Sequence, residues 1–120
     1  MTDKDQTIYK IVQANVWREA ERKGRFEGAG VDLSDGFIHF STVEQVRETA
    51  AKHYAWQDDL LLVAVDGAAL NGEAGEAFRY EPSRGGAMFP HLYAPLPMTA
   101  VLGVNPLPLR GDGTHEFPEL

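Results

Sequence analysis

Six consecutive residues, Leu60–Leu61–Leu62–Val63–Ala64–Val65, carry no polar side chain, and that run constrains the fold of this chain more than any other segment. Its length suits a strand, and its lack of alternation marks a central strand covered on both faces rather than one half-exposed. Two covered faces require two apolar layers. The chain has 120 residues, 43% of them hydrophobic, with Trp17, Trp56 and six phenylalanines as bulk. That is one domain by length, expected over Thr7–Pro118, burying roughly two-thirds of its unfolded surface. Met1–Gln6 reads as a frayed polar tail.

Other segments supply the neighbours. Ile8–Val12, with β-branched residues at 8, 11 and 12, predicts a strand. Ala14–Lys23 shifts to helical spacing, with Val16, Trp17 and Ala20 as an apolar stripe and Gly24 as the residue that ends the last turn. Arg25–Asp35 reads as a crossing loop. Thr42–Tyr54 predicts a second helix presenting Val43, Val46, Ala50 and Tyr54 to the core, and Trp56–Asp59 a turn. Asp66–Gly75 reads as turn-rich. Ala77–Glu81 predicts a strand with Phe78 and Tyr80 on one face and Arg79 and Glu81 on the other. A late strand falls at Ala100–Val104. Two early helices and about five strands, most of them late, define an α+β domain with a mixed, largely antiparallel sheet.

Composition excludes several functions. The chain has no cysteine, which removes disulfides, thiol catalysis and cysteine–zinc sites and fits a cytoplasmic setting. Eighteen acidic against eleven basic residues give a net charge of −7, unsuited to gripping nucleic acid, which needs a basic face. No apolar run approaches the ~20 residues of a membrane helix. No sustained heptad is present, so a monomer is expected. Phosphate loops of the GxGxxG or GxxxxGK type are absent, and neither Ser41 nor Ser83 lies in a nucleophile elbow.

Two segments carry the chemistry. Asp35–Thr42 reads as a short apolar strand bearing His39 and running into a helix start, where Ser41 with Glu44, or Thr42 with Gln45, forms a capping box. A polar ring beside a helix N-terminus suits a nucleotide. In Glu81–Pro97, Pro82, Gly85–Gly86, Pro90, Pro95 and Pro97 block regular pairing, leaving an extended loop. There Arg84, beside two glycines, suits a phosphate or carboxylate, and His91 and Tyr93 share a face. His39, His53, His91 and Glu81 are metal-ligand types, but no pair has helical i,i+4 spacing and no HExxH occurs, so no metal site is assigned. His115 reads as a surface or turn residue.

Taken together, Ile8–Tyr9–Lys10, Trp17, Asp35–Thr42, the Leu60–Asp66 strand and Phe89–Leu96 closely resemble the small bacterial family catalogued as domain of unknown function 952. That family is similar to a compact ADP-ribosyltransferase-like fold, a split sheet holding NAD in a central cleft. The resemblance implies that His39, followed by Ser41 and Thr42, binds the nucleotide ribose, that Tyr54 or Tyr93 stacks on the nicotinamide, and that Glu81 completes the site. NAD would then be a substrate, with no resident cofactor. The chain departs from the pattern in lacking a Glu-x-Glu and a Ser-Thr-Ser motif.

Breaking a ribose–nicotinamide bond builds positive charge on the sugar, which a carboxylate stabilises. On this reading Glu81 and His91 are catalytic, Arg84 holds the pyrophosphate, His39 a ribose hydroxyl, and His91 or His53 serves the acceptor side. The expectation is an enzyme on NAD, ADP-ribose or a phosphoribosyl compound. The alternatives are a non-catalytic nucleotide- or partner-binding module and a histidine-based metal hydrolase.

Overall fold

The structure is a computed structural model that describes residues 6–120; Met1–Asp5 of the expected tail lie outside the described residues. In chain order its elements are β1 (Thr7–Gln13), α1 (Ala14–Lys23), β2 (Arg25–Phe26), α2 (Val31–Asp35), β3 (Ile38–His39), β4 (Ser41–Thr42) and α3 (Val46–His53), then β5 (Leu60–Asp66), α4 (Gly67–Ala74), β6 (Phe78–Pro82), β7 (Met88–Leu92), β8 (Leu96–Pro97) and β9 (Val101–Pro106). The fold is α+β with antiparallel sheets.

The Leu60 run lies where its composition demands. β5 is an inner strand of the four-stranded sheet β4-β1-β5-β9, paired with β1 along its whole length from Leu60↔Gln13 to Asp66↔Thr7. Its residues alternate between two apolar layers. Leu61, Val63 and Val65 join Ile8, Val12, Trp17 and Leu70 in one cluster, while Leu60 and Leu62 join Tyr9, Ile11, Val46, Ala50 and Leu107 in the other. α1 covers the first face and α3 the second. Gly24 ends α1 as expected, at φ 86°, its N–H donating to Ala20 and Glu21 carbonyls.

A second sheet, β3-β7-β6, packs on the first cluster. One lateral row, Ile38, Leu92 and Phe78, is matched by register across all three strands and is almost wholly buried. Burying each side chain contributes on the order of 1.5–3 kcal/mol. The adjacent row, His39, His91 and Arg79, necessarily projects to the opposite face, because strand side chains alternate.

Four expectations need correction. Met88–Leu92 is not an unpaired loop: β7 is the middle strand of that sheet, with Pro90 inside it. The Pro90 carbonyl accepts the Phe40 N–H at 3.0 Å, so Pro90 turns its backbone toward β3 at the point where β3 ends. The ladder to β6 runs through its odd-numbered neighbours and loses no donor. Asp66–Gly75 is not turn but α4, because the Asp66 carboxylate accepts the N–H groups of Ala68 and Ala69 and Leu70 is fully buried. Arg25–Asp35 contains β2 and α2. The second helix begins at Val46 rather than Thr42, because Ser41 and Thr42 pair with Tyr9 and Ile8 of β1. Among the described residues, no helix is long and apolar enough to cross a membrane.

Candidate functional site

The polar row of the small sheet is built around two carboxylate–histidine pairs. The first begins in the core. Lys10 shares its face of β1 with Ile8 and Val12, and its ammonium is buried against Asp32 of α2, with Nζ 2.8 Å from Oδ2. Asp32 is itself only 2% exposed and is surrounded by donors: Lys10 Nζ at 3.0 Å from Oδ1, the Ala29 N–H at 3.1 Å, the His39 N–H at 3.1 Å, and His39 Nδ1 at 2.6 Å. Burial opposes its ionisation, yet the hydrogen bond from His39 and the charge and hydrogen bond of Lys10 outweigh it, so the carboxyl is held down to about 2. Burial pulls the Lys10 ammonium below its ordinary value, against the opposing pull of Asp32. An ionised Asp32 is acceptor-only, so His39 Nδ1 carries the hydrogen. The outer nitrogen, Nε2, faces Asp35 Oδ2 at 3.0 Å, at the solvent edge.

The second pair lies one strand over. His91 Nδ1 is 2.9 Å from Glu81 Oε1, and the Tyr93 hydroxyl donates to the same oxygen at 2.7 Å. The hydrogen bonds from His91 and Tyr93 hold the Glu81 carboxyl below its ordinary value. Burial lowers the His91 imidazole, with the Glu81 bond working against it. The hydrogen bond to Glu81 also raises the Tyr93 hydroxyl. A neutral His91 that donates from Nδ1 carries a lone pair on Nε2, and that atom is buried with no protein partner. Such an orphan costs about 1–3 kcal/mol, which marks it as a position awaiting a donor.

Phe37 joins the two pairs. Its ring centroid lies 4.2 Å from that of His91, 4.5 Å from His39 and 4.9 Å from Tyr93. The Arg79 guanidinium stacks on the other aromatic, 4.7 Å from the Tyr93 centroid. Gly36 makes this placement possible: it ends α2 at φ 84°, a left-handed turn that directs Phe37 onto the rings of β3 and β7.

The structure thus brings together His39, Glu81, His91 and Tyr93. The other expected residues fall elsewhere. Ser41 gives its hydroxyl to Thr49, at 2.9 Å. Thr42 takes the Gln45 side chain on its N–H, at 3.0 Å, half of the expected capping box, but inside β4 rather than at a helix start. His53 closes α3, whose buried residues serve the second cluster. Tyr54 packs there too, its hydroxyl on the Ile11 carbonyl at 3.4 Å, and so is not a stacking residue for this face. Arg84 lies in the turn joining β6 to β7, beside Glu81 in sequence. Among the described residues no three His, Asp or Glu side chains are grouped to hold a metal ion, which leaves the metal-hydrolase expectation without a ligand set. Sequence reasoning missed Lys10, Asp32, Asp35 and Phe37. Two of them had a signal: Lys10 is a lone charge between Ile8 and Val12, and Phe37 shares strand parity with His39.

An antiparallel α+β domain with a carboxylate–histidine row on its three-stranded sheet is thus the class of protein at hand. A family model described as "Protein of unknown function (DUF952)" matches residues 11–104, and the chain belongs to that family. The crystal structure of protein CC0527 from Caulobacter crescentus is similar over 92% of this chain and 94% of its own, at 48% identity and a TM-score of 0.85. The crystal structure of a double mutant of CC0527 covers the same shares, at 46% identity and a TM-score of 0.84. The solution structure of CC0527 covers 90% of each chain, at 48% identity and a TM-score of 0.78. No curated protein matches.

Proposed function

We propose that the His39–Glu81–His91–Tyr93 face binds a ribose-bearing nucleotide of the NAD or ADP-ribose class and cleaves its glycosidic bond. The observation that carries this reading is the Glu81–His91 pair: an ionised carboxylate beside a neutral imidazole whose Nε2 lone pair has no protein partner. Both hydrogen bonds to Glu81 land on Oε1, which leaves Oε2 for the sugar. As the bond from the anomeric carbon to the nicotinamide nitrogen breaks, its electron pair leaves with nicotinamide and Glu81 stabilises the positive sugar. A water oxygen bonds to that carbon, and His91 Nε2 takes its proton. His39, oriented through Nδ1 by Asp32, holds a ribose hydroxyl at Nε2, where Asp35 now lies. Phe37 and Tyr93 offer ring faces to the base, and Phe37 swings on Gly36 to uncover Nε2. Arg79, stacked on Tyr93, faces the pyrophosphate. The split antiparallel arrangement supports the finer likeness to the ADP-ribosyltransferase-like fold.

A second reading is a binding module without turnover. It is favoured by Phe37 lying across the three rings, which closes over the face.

Titration with NAD, ADP-ribose, nicotinamide mononucleotide and NADP, read as the unfolding midpoint and as nicotinamide release, separates the two. Ligand at 100 times its dissociation constant adds about 2.7 kcal/mol, a readily measured shift at this size. Glu81→Gln is expected to retain that shift and to lose roughly 10²–10³ in release rate; His39→Ala is expected to lose the shift. Binding with no release in the parent chain selects the module, and no shift with any of the four compounds overturns both readings.

A further inference from the structure

The opposite side of the main sheet carries a second polar feature that the sequence conceals. The tail Arg110–His115 folds back on itself: the Arg110 N–H donates to the Thr114 carbonyl at 2.7 Å, the Gly113 N–H to the Arg110 carbonyl at 3.0 Å, and Leu109 bridges His115. Gly113, at φ 88°, lies directly against the Trp56 indole, where a Cβ would collide. The fold-back turns His115 inward, 5% exposed, so of the surface or turn position expected, the surface is ruled out and the residue closes the turn. Its Nε2 is 2.7 Å from the Gln57 carbonyl. A carbonyl only accepts, so Nε2 carries the hydrogen, and Nδ1 is buried with no partner.

His115 lines a hollow of about 450 Å³ together with Arg47 of α3, Ala50, Ala51, Arg110 and Phe117, within the size range of small-molecule sites. Arg47 lies over the Phe117 ring at 5.3 Å. Among the described residues, Arg47 and Arg110, like Arg79, form no ion pair with a carboxylate, whereas Lys10, Arg18, Arg22, Lys23, Arg25 and Lys52 all do. The acid nearest in sequence, Asp112, turns its Oδ1 to the Thr114 N–H and hydroxyl, at 3.0 and 2.6 Å, and meets Arg110 through longer-range attraction rather than an ion pair. In a chain of net charge −7, two such residues lining one hollow supply the charge of a local anion receptor.

We infer that this hollow binds a small hydroxylated anion, of the sugar-phosphate or hydroxy-acid class. The guanidiniums hold the phosphate or carboxylate, His115 tilts to bring its now closed-off Nδ1 to the hollow, where it accepts a hydrogen from a ligand hydroxyl, and Ala50, Ala51 and Phe117 carry the carbon chain. Ala50 belongs to the second core cluster and Phe117 packs against it. The site therefore lies across the sheet from the Glu81–His91 row and stands or falls independently of it.

The test is a titration of the intact chain with glycerol 3-phosphate, glycerate and propyl phosphate, followed by amide shifts in ¹H–¹⁵N spectra. Saturable shifts are expected at Arg47, Ala50, Ala51 and His115, and whichever of the first two compounds binds tighter assigns the anionic group. Propyl phosphate, lacking the hydroxyl, is expected to bind roughly tenfold more weakly, the cost of leaving one acceptor unmet. The double variant Arg47→Ala/Arg110→Ala changes only exposed side chains and is expected to keep the parent spectrum while losing the response. Three results overturn the proposal: no saturation with any of the compounds, equal affinity for propyl phosphate, or an unchanged response in the double variant.

Discussion

Asp32 is the residue on which the carboxylate–histidine row depends most. It carries its charge in a setting that disfavours charge, and it does so because four donors from three separate stretches of chain converge on it. Asn in its place keeps the shape and removes the charge, leaving the Lys10 ammonium buried without a counter-ion. Asp32→Asn is therefore expected to cost about 3–5 kcal/mol, the range for breaking one side of a buried pair. It would be read as a lower urea midpoint at unchanged slope. Lys10→Met, which leaves Asp32 its His39 and Ala29 donors and replaces a buried ammonium with an apolar chain, is expected to cost less than half as much. A larger loss for Lys10→Met than for Asp32→Asn would show that the ammonium, not the carboxylate, is the keystone. This centre was only half legible in the sequence. His39, Glu81, His91 and Tyr93 announce themselves by residue type and alternation within a few residues. The Lys10–Asp32 contact spans 22 positions and joins an apolar strand to a glycine-rich stretch, and no local pattern reports such a pairing.

At the level of elements, β7 illustrates how one strand divides core from site. Leu92, Pro90 and Met88 share one parity; Phe89, His91 and the following Tyr93 share the other. Leu92 sits in the row with Ile38 and Phe78 and is 1% exposed, whereas Met88, on the same face at the open end, is 49% exposed. Leu92→Ala is expected to destabilise by about 2–5 kcal/mol, and Met88→Ala to stay within about 0.5 kcal/mol of the parent. Thermal unfolding of the two variants distinguishes them. A small effect for Leu92→Ala would mean that the second sheet contributes little to the core. Elements of this kind were legible where a pattern ran uninterrupted, as in β1, α1 and β5. They were hidden where a breaker residue was compensated by context: Pro90, whose missing donor faces the end of β3, and α4, whose Gly67 and Gly72 argue against a helix until the Asp66 cap and the burial of Leu70 are counted. α2, five residues held between Gly30 and Gly36, is too short to show a helical period at all.

For the whole molecule, the decisive fact is that the two apolar clusters share β1 and β5. Alternate residues of these strands enter opposite layers, so neither layer can open without exposing a face of the same two strands. The second sheet is tied in through Ile38, Phe78 and Leu92, which belong to the first cluster. Cooperative unfolding should follow from this shared construction. Hydrogen exchange of the native chain is expected to give Ile11, Val63 and His91 amides the same opening free energy. That value should match the one from urea unfolding, on the order of 5–15 kcal/mol. The β6–β7 turn at Arg84–Gly86 is expected to exchange far sooner, because it contributes nothing to either layer. A β7 value well below that of β5 would divide the molecule into a stable main sheet and a separately opening small one. The Glu81–His91 row would then ride on a movable platform, and its geometry would be set by ligand binding as much as by folding.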